Sequence, residues 1–235
     1  MGNKGKRQMS ASAPTGNSAA SIPRDWRPFA LLVIDAQRDF WSEDVAAGFP
    51  DFPAKVERLL ACCRAEGIDV IHLRAGFRPD GSDWMVNARL RGRTPCVEGT
   101  AGAETLDCAH EQSGERVIIK HTWDGFQHPE LSAYLQHRGK RFLLIAGLVT
   151  SVCVLFTAAS AAQRGFLTAL IEDCCADRAE AHAQTLKRYG GLVFRRTSAD
   201  GLLAAYASWW DALQKLDRLE GTGAAAHTRQ ASRAR

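Results

Sequence analysis

Short apolar runs alternate with segments of helical periodicity along most of the chain. The apolar runs predict six strands, at residues 28–35, 68–74, 115–120, 142–147, 165–173 and 192–194. Runs that are short and apolar throughout are typical of strands buried on both faces of a sheet. The intervening periodic segments predict helices at residues 54–66, 129–138, 154–162, 179–189 and 200–216. Strands that alternate with helices predict an α/β fold with a parallel sheet covered by helices on both faces.

Three stretches fall outside this alternation. Residues 75–115 have weak periodicity and many Gly, Pro and polar residues. A loop of this length in a compact domain is usually functional, so we expect it to cover a substrate or to form subunit contacts. Residues 1–24 and 221–235 are rich in Gly, Ala and Ser and are predicted to be disordered tails, the second of them basic. The folded domain is therefore expected at residues 25–220.

Composition bounds the class of protein. The chain has 235 residues, of which 46% are hydrophobic, and this is enough for one domain with a sizeable core. No apolar run approaches the ~20 residues that span a bilayer, and the N-terminus lacks the apolar centre of a secretory signal. The seven cysteines show neither C-x-x-C nor zinc-finger spacing. We therefore expect a cytoplasmic protein with reduced thiols and no membrane partner.

The formal net charge of +4 comes from the tails. Residues 1–24 carry four basic residues and residues 221–235 carry three, and neither tail contains an acid. The central part of the chain consequently has a net charge of −3. The domain therefore shows no basic face of the kind that binds nucleic acid, and a small-molecule substrate is the expected partner.

Three chemically active side chains follow apolar runs. Asp35 ends the first predicted strand, Lys120 ends the third, and Cys153 lies just after the fourth. Open α/β sheets bind ligands at the carboxyl ends of their strands, so the three are predicted to meet there. Each residue also has an ordinary interpretation: Asp35 as a helix or turn cap, Lys120 as a surface lysine, and Cys153 as a buried structural thiol.

Nucleophilic catalysis by a thiol is the function that these residues favour together. Cys153 lies where a helix begins, and free N–H groups and the helix dipole would favour a thiolate there. Asp35 can accept the thiol proton, and Lys120 can keep Asp35 ionised. The backbone N–H groups of Val149 and Cys153 could then bind an oxyanion.

Several motifs together resemble the isochorismatase-like cysteine hydrolase superfamily, which includes N-carbamoylsarcosine amidohydrolases, ureidoacrylate hydrolases and biuret hydrolases. The matching positions are residues 33–37 with Phe40, residues 99–104, Lys120 with residues 123–126, residues 147–154 with Thr157, Ala158 and Gly165, and finally Asp173 and Asp177. The likeness covers about residues 28–197. Each block alone is a weak signal, whereas the ordered set is specific.

The resemblance implies a three-layer α/β/α sandwich with a six-strand parallel, Rossmann-like sheet. It also implies a catalytic triad of Asp35, Lys120 and Cys153 and a cis peptide bond between Leu148 and Val149. That bond would direct the Val149 N–H into the oxyanion hole. Members of the superfamily are usually oligomeric, so a homo-oligomer, either a dimer or a tetramer, is expected.

The differences from the superfamily narrow the function. Nicotinamidases carry an Asp-x-His motif and a further His for a metal after the first strand, and residues 41–47 contain no such pair, so no metal and no cofactor are expected. Enzymes that cleave the vinyl ether of isochorismate lack the nucleophilic cysteine. Cys153 therefore favours an amidohydrolase that cleaves a C–N bond of a small amide or ureido compound through a thioester.

Three alternatives remain open at this point. They are a catalytically silent scaffold or binding protein of the same fold, an isochorismatase-type vinyl ether hydrolase, and a thiol redox sensor that uses Cys153. The candidate substrate-binding residues are Phe40, Trp41, Arg74 and Thr150. The identity of the substrate does not follow from the sequence.

Overall fold

The computed structural model describes residues 24–233, with side chains described for residues 24–220. Residues 1–23 and 234–235 of the predicted tails lie outside the described residues. For residues 221–233 only the backbone is described, within the last helix. The predicted disorder of both tails therefore stays a prediction.

A single sheet of six parallel strands forms the centre of the fold. The strands are β1 (Phe29–Ile34), β2 (Asp69–Ala75), β3 (Arg116–Lys120), β4 (Phe142–Leu148), β5 (Leu167–Ala176) and β6 (Arg195–Thr197). Their order across the sheet is β3-β2-β1-β4-β5-β6. The chain starts in the middle, builds outward to one edge and then returns to build toward the other. The strand order therefore reverses between β1 and β4, which is where doubly wound sheets bind ligands.

Seven α-helices complete the described part of the chain. They are α1 (Glu43–Gly48), α2 (Phe52–Ala65), α3 (Val86–Arg91), α4 (Pro129–His137), α5 (Leu155–Gln163), α6 (Ala179–Tyr189) and α7 (Leu202–Arg233). No helix in the described range is both long and apolar enough to cross a membrane.

The alternation of side chains along β1 divides the core into two layers. Phe29, Leu31 and Val33 pack on one face of the sheet with the apolar sides of α2 and α7. Their neighbours Ala30, Leu32 and Ile34 pack on the other face with α4, α5 and α6. Both faces are apolar because both are covered, which explains why the strand sequence shows no polar alternation. The fold is the three-layer α/β/α sandwich that was predicted.

Gly147 allows β1 and β4 to approach closely at their carboxyl ends. It has a φ of 124°, and a Cβ built there would lie 1.9 Å from the carbonyl oxygen of Ile34. Only glycine accommodates both this conformation and this contact. The ends of β1 and β4, which lead into Asp35 and the segment of Cys153, are therefore held side by side.

Residues 75–115, predicted to be a loop, contain α3 and two short 3-10 turns, at Ala101–Ala103 and Asp107–Ala109. Phe77 and Val97 form an isolated parallel bridge, in which the Phe77 N–H donates to Cys96 O and the Glu98 N–H donates to Phe77 O. This bridge joins the two ends of residues 78–95. We call these residues the cavity loop.

Two predictions at the second half of the sheet were wrong. The apolar residues 192–194 are a turn rather than a strand, and β6 is Arg195–Thr197, because Gly191, with a φ of 83°, reverses the chain just before it. β5 continues past residue 173 to Ala176, since its pairing with β4 shifts between Ile145 and Gly147. Glu172 and Asp173 therefore lie inside β5 and not at its end. The last helix also runs well beyond the predicted end at residue 216.

Candidate active site

Asp35, Lys120 and Cys153 converge at the carboxyl edge of the sheet. The Lys120 Nζ donates a hydrogen bond of 2.6 Å to Asp35 Oδ2 and one of 2.8 Å to the backbone oxygen of Thr122. The Cys153 thiol lies close enough to Asp35 and Lys120 for both groups to shift its pKa, and all three residues line the same cavity. All three side chains are buried, at 0%, 1% and 3% exposure respectively. A carboxylate, an ammonium group and a thiol are thus brought together although they are far apart in sequence.

Asp35 is held in an unusual backbone conformation directly after β1. Its φ is 47°, which is uncommon for any residue other than glycine, although Asp and Asn adopt it more readily than most. Its N–H donates to Leu73 O at 2.8 Å, and its own carbonyl accepts from the Gln37 N–H at 2.7 Å. The chain therefore turns sharply at the point where the carboxylate must face Cys153.

Gln37 is a contributor to the site that the sequence reasoning did not single out. Its side chain is buried; Oε1 accepts from the Ala75 N–H, and Nε2 donates to the carbonyl oxygens of Ala75 and Ala103. These three bonds tie the end of β2 and the 3-10 turn at Ala101–Ala103 to the segment that carries Asp35. A buried amide with all of its bonds made gives the edge of the cavity a fixed geometry.

Cys153 lies in a tight turn that follows β4. The peptide bond between Leu148 and Val149 is cis, and Thr150–Val154 form one π-helical turn before α5 begins. Ser151 donates from its N–H and from Oγ to Asp177 Oδ2, at 2.8 and 2.6 Å. Thr150 Oγ1 lies 2.9 Å from Nδ1 of His182. The start of α6 and the residues before it therefore anchor the turn that positions the thiol.

The electrostatics of the three groups oppose the charged form of Cys153. Burial and the neighbouring Asp35 carboxylate raise the pKa of Cys153 well above its usual range, and Lys120 only partly offsets them. Burial also raises the pKa of Asp35, against the attraction of Lys120. Burial lowers the pKa of Lys120. The interactions with Asp35 and Cys153 are stronger than this effect, so the net result is a raised pKa of the amine. These shifts favour the protonated thiol of Cys153, which lies beside the carboxylate proposed below to accept its proton.

The three groups form the floor of a cavity of about 340 Å³. Apolar side chains wall it, namely Phe40, Ala75, Phe77, Met85, Val86 and Trp123. Polar side chains from the cavity loop reach it as well, namely Asn87, Arg91, Arg93 and Thr94. The cavity has the size and the mostly apolar lining of a site for a small molecule.

Of the four residues predicted to bind substrate, only Phe40 lines this cavity. Trp41 stacks on Phe52 with ring centroids 4.8 Å apart and packs on the core beside α2. Arg74 forms an ion pair with Glu111, and Thr150 is fully buried against His182. These three side chains point to different neighbours within one chain, and their predicted role in substrate binding stays a prediction. Sequence spacing gives the strand end but not the direction of the side chain.

No cluster of three or more His, Cys, Asp or Glu side chains that could hold a metal occurs among the residues described. All seven cysteines are free. The ionisable groups that line the cavity next to Cys153 and act on its pKa are Asp35 and Lys120.

The chain is similar to a known protein family and to several known proteins. A family model described as the isochorismatase domain matches residues 29–197. Maleamate amidohydrolase of Pseudomonas putida is 29% identical over 204 residues, which cover 82% of this chain and 88% of that protein. Ureidoacrylate amidohydrolase RutB of Methylorubrum extorquens is 27% identical, with 70% and 82% covered. The crystal structure of an isochorismatase family protein from Desulfovibrio vulgaris has a TM-score of 0.71 and 29% identity, covering 77% of this chain and 99% of that one.

Proposed function

The chain belongs to the isochorismatase domain family, and from this we propose that it is a cysteine-dependent amidohydrolase. The proposed reaction cleaves a C–N bond of a small amide or ureido compound through a covalent thioester. The observation that carries the proposal is the meeting of Asp35, Lys120 and Cys153 on the floor of one cavity. The named amidohydrolases among its relatives support the same class of reaction.

The first half of the reaction forms the acyl-enzyme. Cys153 Sγ attacks the carbonyl carbon while its proton passes to Asp35, so that the nucleophile becomes a thiolate only as it reacts. The backbone N–H groups of Val149 and Cys153 are the proposed donors to the resulting oxyanion. The C–N bond then breaks as Asp35 returns the proton to the leaving nitrogen. Lys120 remains charged throughout and holds the carboxylate in place.

The second half releases the acid. Water attacks the thioester carbon while Asp35 accepts one of its protons, and the C–S bond breaks as that proton returns to Cys153. The buried position of Asp35 favours both transfers, because a carboxylate with a raised pKa is a better proton acceptor. One carboxylate can thus serve both halves of the cycle.

Two features of the molecule support further parts of the proposal. Val86, Leu90, Trp123 and Phe156 are exposed apolar side chains around or near the cavity mouth. A homo-oligomer, either a dimer or a tetramer, would cover them. The free cysteines agree with the proposed cytoplasmic location, where thiols stay reduced.

Release of ammonia from a panel of small amides and carbamoyl compounds tests the function, together with the intact mass of acid-quenched enzyme. We expect turnover of at least one compound and a mass increase on Cys153 equal to the acyl group. Cys153→Ala should lower turnover by about 10⁴-fold or more, as removal of a nucleophile does. Cys62→Ala, which changes a half-buried thiol on α2, is the matched control and should leave turnover unchanged.

Two results would overturn the proposal. Unchanged ammonia release by Cys153→Ala would show that the thiol is not the nucleophile. Neither turnover nor acylation with any member of the panel would favour the catalytically silent scaffold instead.

A further inference from the structure

More positively charged than negatively charged side chains line the cavity. Four of its lining residues carry formal charge: Asp35, Lys120, Arg91 and Arg93. Asp35 and Lys120 neutralise each other on the floor. Within the described part of the chain, neither the Arg91 nor the Arg93 side chain forms an ion pair or a hydrogen bond. The cavity therefore has two excess positive charges, both on the cavity loop.

Arginines elsewhere on this protein are mostly paired. Arg64 binds Glu115, Arg138 binds Asp69, and Arg196 binds Glu172. Arg91 and Arg93 are exposed, although each has one side toward the cavity. A guanidinium group without a partner at the mouth of an apolar cavity attracts an anion from solution, and it can bind a carboxylate through two parallel hydrogen bonds.

A second observation concerns the residue that directly follows Arg93. Thr94 lines the cavity, and its Oγ1 is buried without a hydrogen-bond partner in the described structure. A buried hydroxyl without a partner is costly, so its bond is expected to be completed by a bound molecule. Thr94 directly follows Arg93, and Gly92, with a φ of 65°, reverses the chain at the end of α3. The turn thus brings two guanidinium groups and one hydroxyl to the same side of the cavity.

We propose that Arg91, Arg93 and Thr94 form a carboxylate subsite, so that the substrate is a small amide or ureido compound with a carboxylate at its other end. This proposal rests on the proposed function for the identity of the reacting group, but the subsite itself does not. The apolar walls, Phe40, Phe77 and Met85 among them, leave room for a short hydrocarbon link between the two ends. Neutral amides are the expected poor substrates, and cationic amides are excluded by the two arginines.

The first test does not depend on turnover. Iodoacetate and iodoacetamide are nearly isosteric and alkylate thiols, but only iodoacetate is an anion. We expect the ratio of their rates at Cys153, measured by peptide mass spectrometry, to fall by about 3- to 10-fold in Arg91→Gln/Arg93→Gln, since local charge raises the concentration of anions. The fall should shrink at high salt. Arg89→Gln is the matched control, because Arg89 is exposed on α3 but does not line the cavity.

The second test uses the reaction. Succinic acid monoamide and succinic diamide differ in one terminal group, a carboxylate or an amide. We expect wild-type kcat/KM to favour the monoamide, and we expect this preference to fall by about 10- to 100-fold in Arg91→Gln/Arg93→Gln, the range for loss of a hydrogen bond to a charged group. Thr94→Val should lower the preference by less. Arg89→Gln should keep the wild-type preference.

The outcomes separate the subsite from the proposed function. If the iodoacetate ratio of the double variant equals that of wild type, the carboxylate subsite is wrong, whatever the protein hydrolyses. If wild type hydrolyses the diamide as well as the monoamide, the assigned substrate class is also wrong. If neither amide is hydrolysed but the ratio falls as expected, the subsite stands and the proposed reaction is the part that fails.

Discussion

At the scale of single residues, Asp35 and Lys120 act on the pKa of the Cys153 thiol on the floor of the cavity. The Asp35 carboxylate raises the pKa of the thiol that it must deprotonate, and Lys120 acts in the opposite direction. The two residues therefore have separable effects on the thiol. Asp35 opposes the free thiolate at equilibrium and yet, in the proposed reaction, carries the proton.

This opposition predicts that two variants move the Cys153 titration in opposite directions. Asp35→Asn removes a negative charge beside the thiol and should lower the Cys153 pKa, so that alkylation by iodoacetamide begins at lower pH than in wild type. Lys120→Met removes the positive charge and should move the profile to higher pH. The rate of Cys153 alkylation between pH 6 and pH 10, which is followed by mass spectrometry, gives all three curves.

Turnover should not follow the alkylation of Asp35→Asn. Without the carboxylate no group carries the proton to the leaving nitrogen, so turnover should fall by about 10²–10⁴-fold although the thiolate forms more easily. Glu104→Gln removes an exposed carboxylate and serves as the control. Superimposable alkylation curves for wild type and the two site variants would refute the coupling.

The meeting of the three residues that are proposed to carry the chemistry could be predicted from the sequence, and the residues that shape the cavity could not. Asp35, Lys120 and Cys153 each follow an apolar run, and a parallel sheet brings all such positions to one edge. Arg91, Arg93 and Thr94 come from a segment without periodicity, so nothing in the local pattern shows which way they face. Trp41 follows a predicted strand and Arg74 ends one. Trp41 nevertheless stacks on Phe52 and Arg74 pairs with Glu111, so neither side chain lines the cavity.

At the scale of elements, the close approach of β1 and β4 at their carboxyl ends depends on one glycine. Gly147→Ala would place a methyl group 1.9 Å from Ile34 O at a φ of 124°. Gly165 provides a matched control, because its φ is 87° but nothing lies within 4 Å of a Cβ built there. The two substitutions therefore share an unfavourable backbone conformation and differ in the clash.

We expect Gly165→Ala to lower the free energy of unfolding by about 1–3 kcal/mol, the range for a left-handed conformation without glycine. Gly147→Ala should lower it by at least about 4 kcal/mol, which is typical of overpacking added to backbone strain. Urea denaturation followed by circular dichroism measures both. Equal losses in the two variants would show that the β1–β4 contact can relax.

The presence of the strands was easier to predict than their boundaries, and the boundaries that were missed lie in β5 and β6. The first four strands are apolar runs between polar segments, and the structure places each within a few residues of its prediction. β6 is an edge strand with two arginines and a threonine, so its pairing with β5 and not its composition makes it a strand. The shift in the pairing of β4 and β5 likewise depends on a contact between distant segments.

At the scale of the whole molecule, α7 holds the start of the described chain against the sheet. Trp209 is 2% exposed and packs on Phe142 and Phe29, with ring centroids 5.1 and 6.4 Å away. Tyr206 on the same helix accepts a hydrogen bond through its hydroxyl from the Asp25 N–H at 2.8 Å. Residues near both ends of the domain thus meet on one face of β1 and β4.

Trp209→Ala should therefore lower the free energy of unfolding by about 3–5 kcal/mol, the range for removal of a buried aromatic side chain. Its neighbour Trp210 is half-buried and stacks on Tyr206, and Trp210→Ala should cost about 1 kcal/mol. Chemical denaturation of both variants checks the difference. A loss for Trp210→Ala as large as that for Trp209→Ala would contradict the central role of Trp209 in this layer.

The bridge between Phe77 and Val97 also bears on how such enzymes diversify. It fixes the two ends of the cavity loop next to each other, independently of what lies between them. Closing a loop of different length costs little free energy once its ends are fixed, since the cost grows only slowly with length. Under the proposed function, the loop and the reacting groups are consequently separable. Residues 78–95 could be exchanged in evolution or by grafting, and Asp35, Lys120 and Cys153 on the sheet would serve a new substrate unchanged.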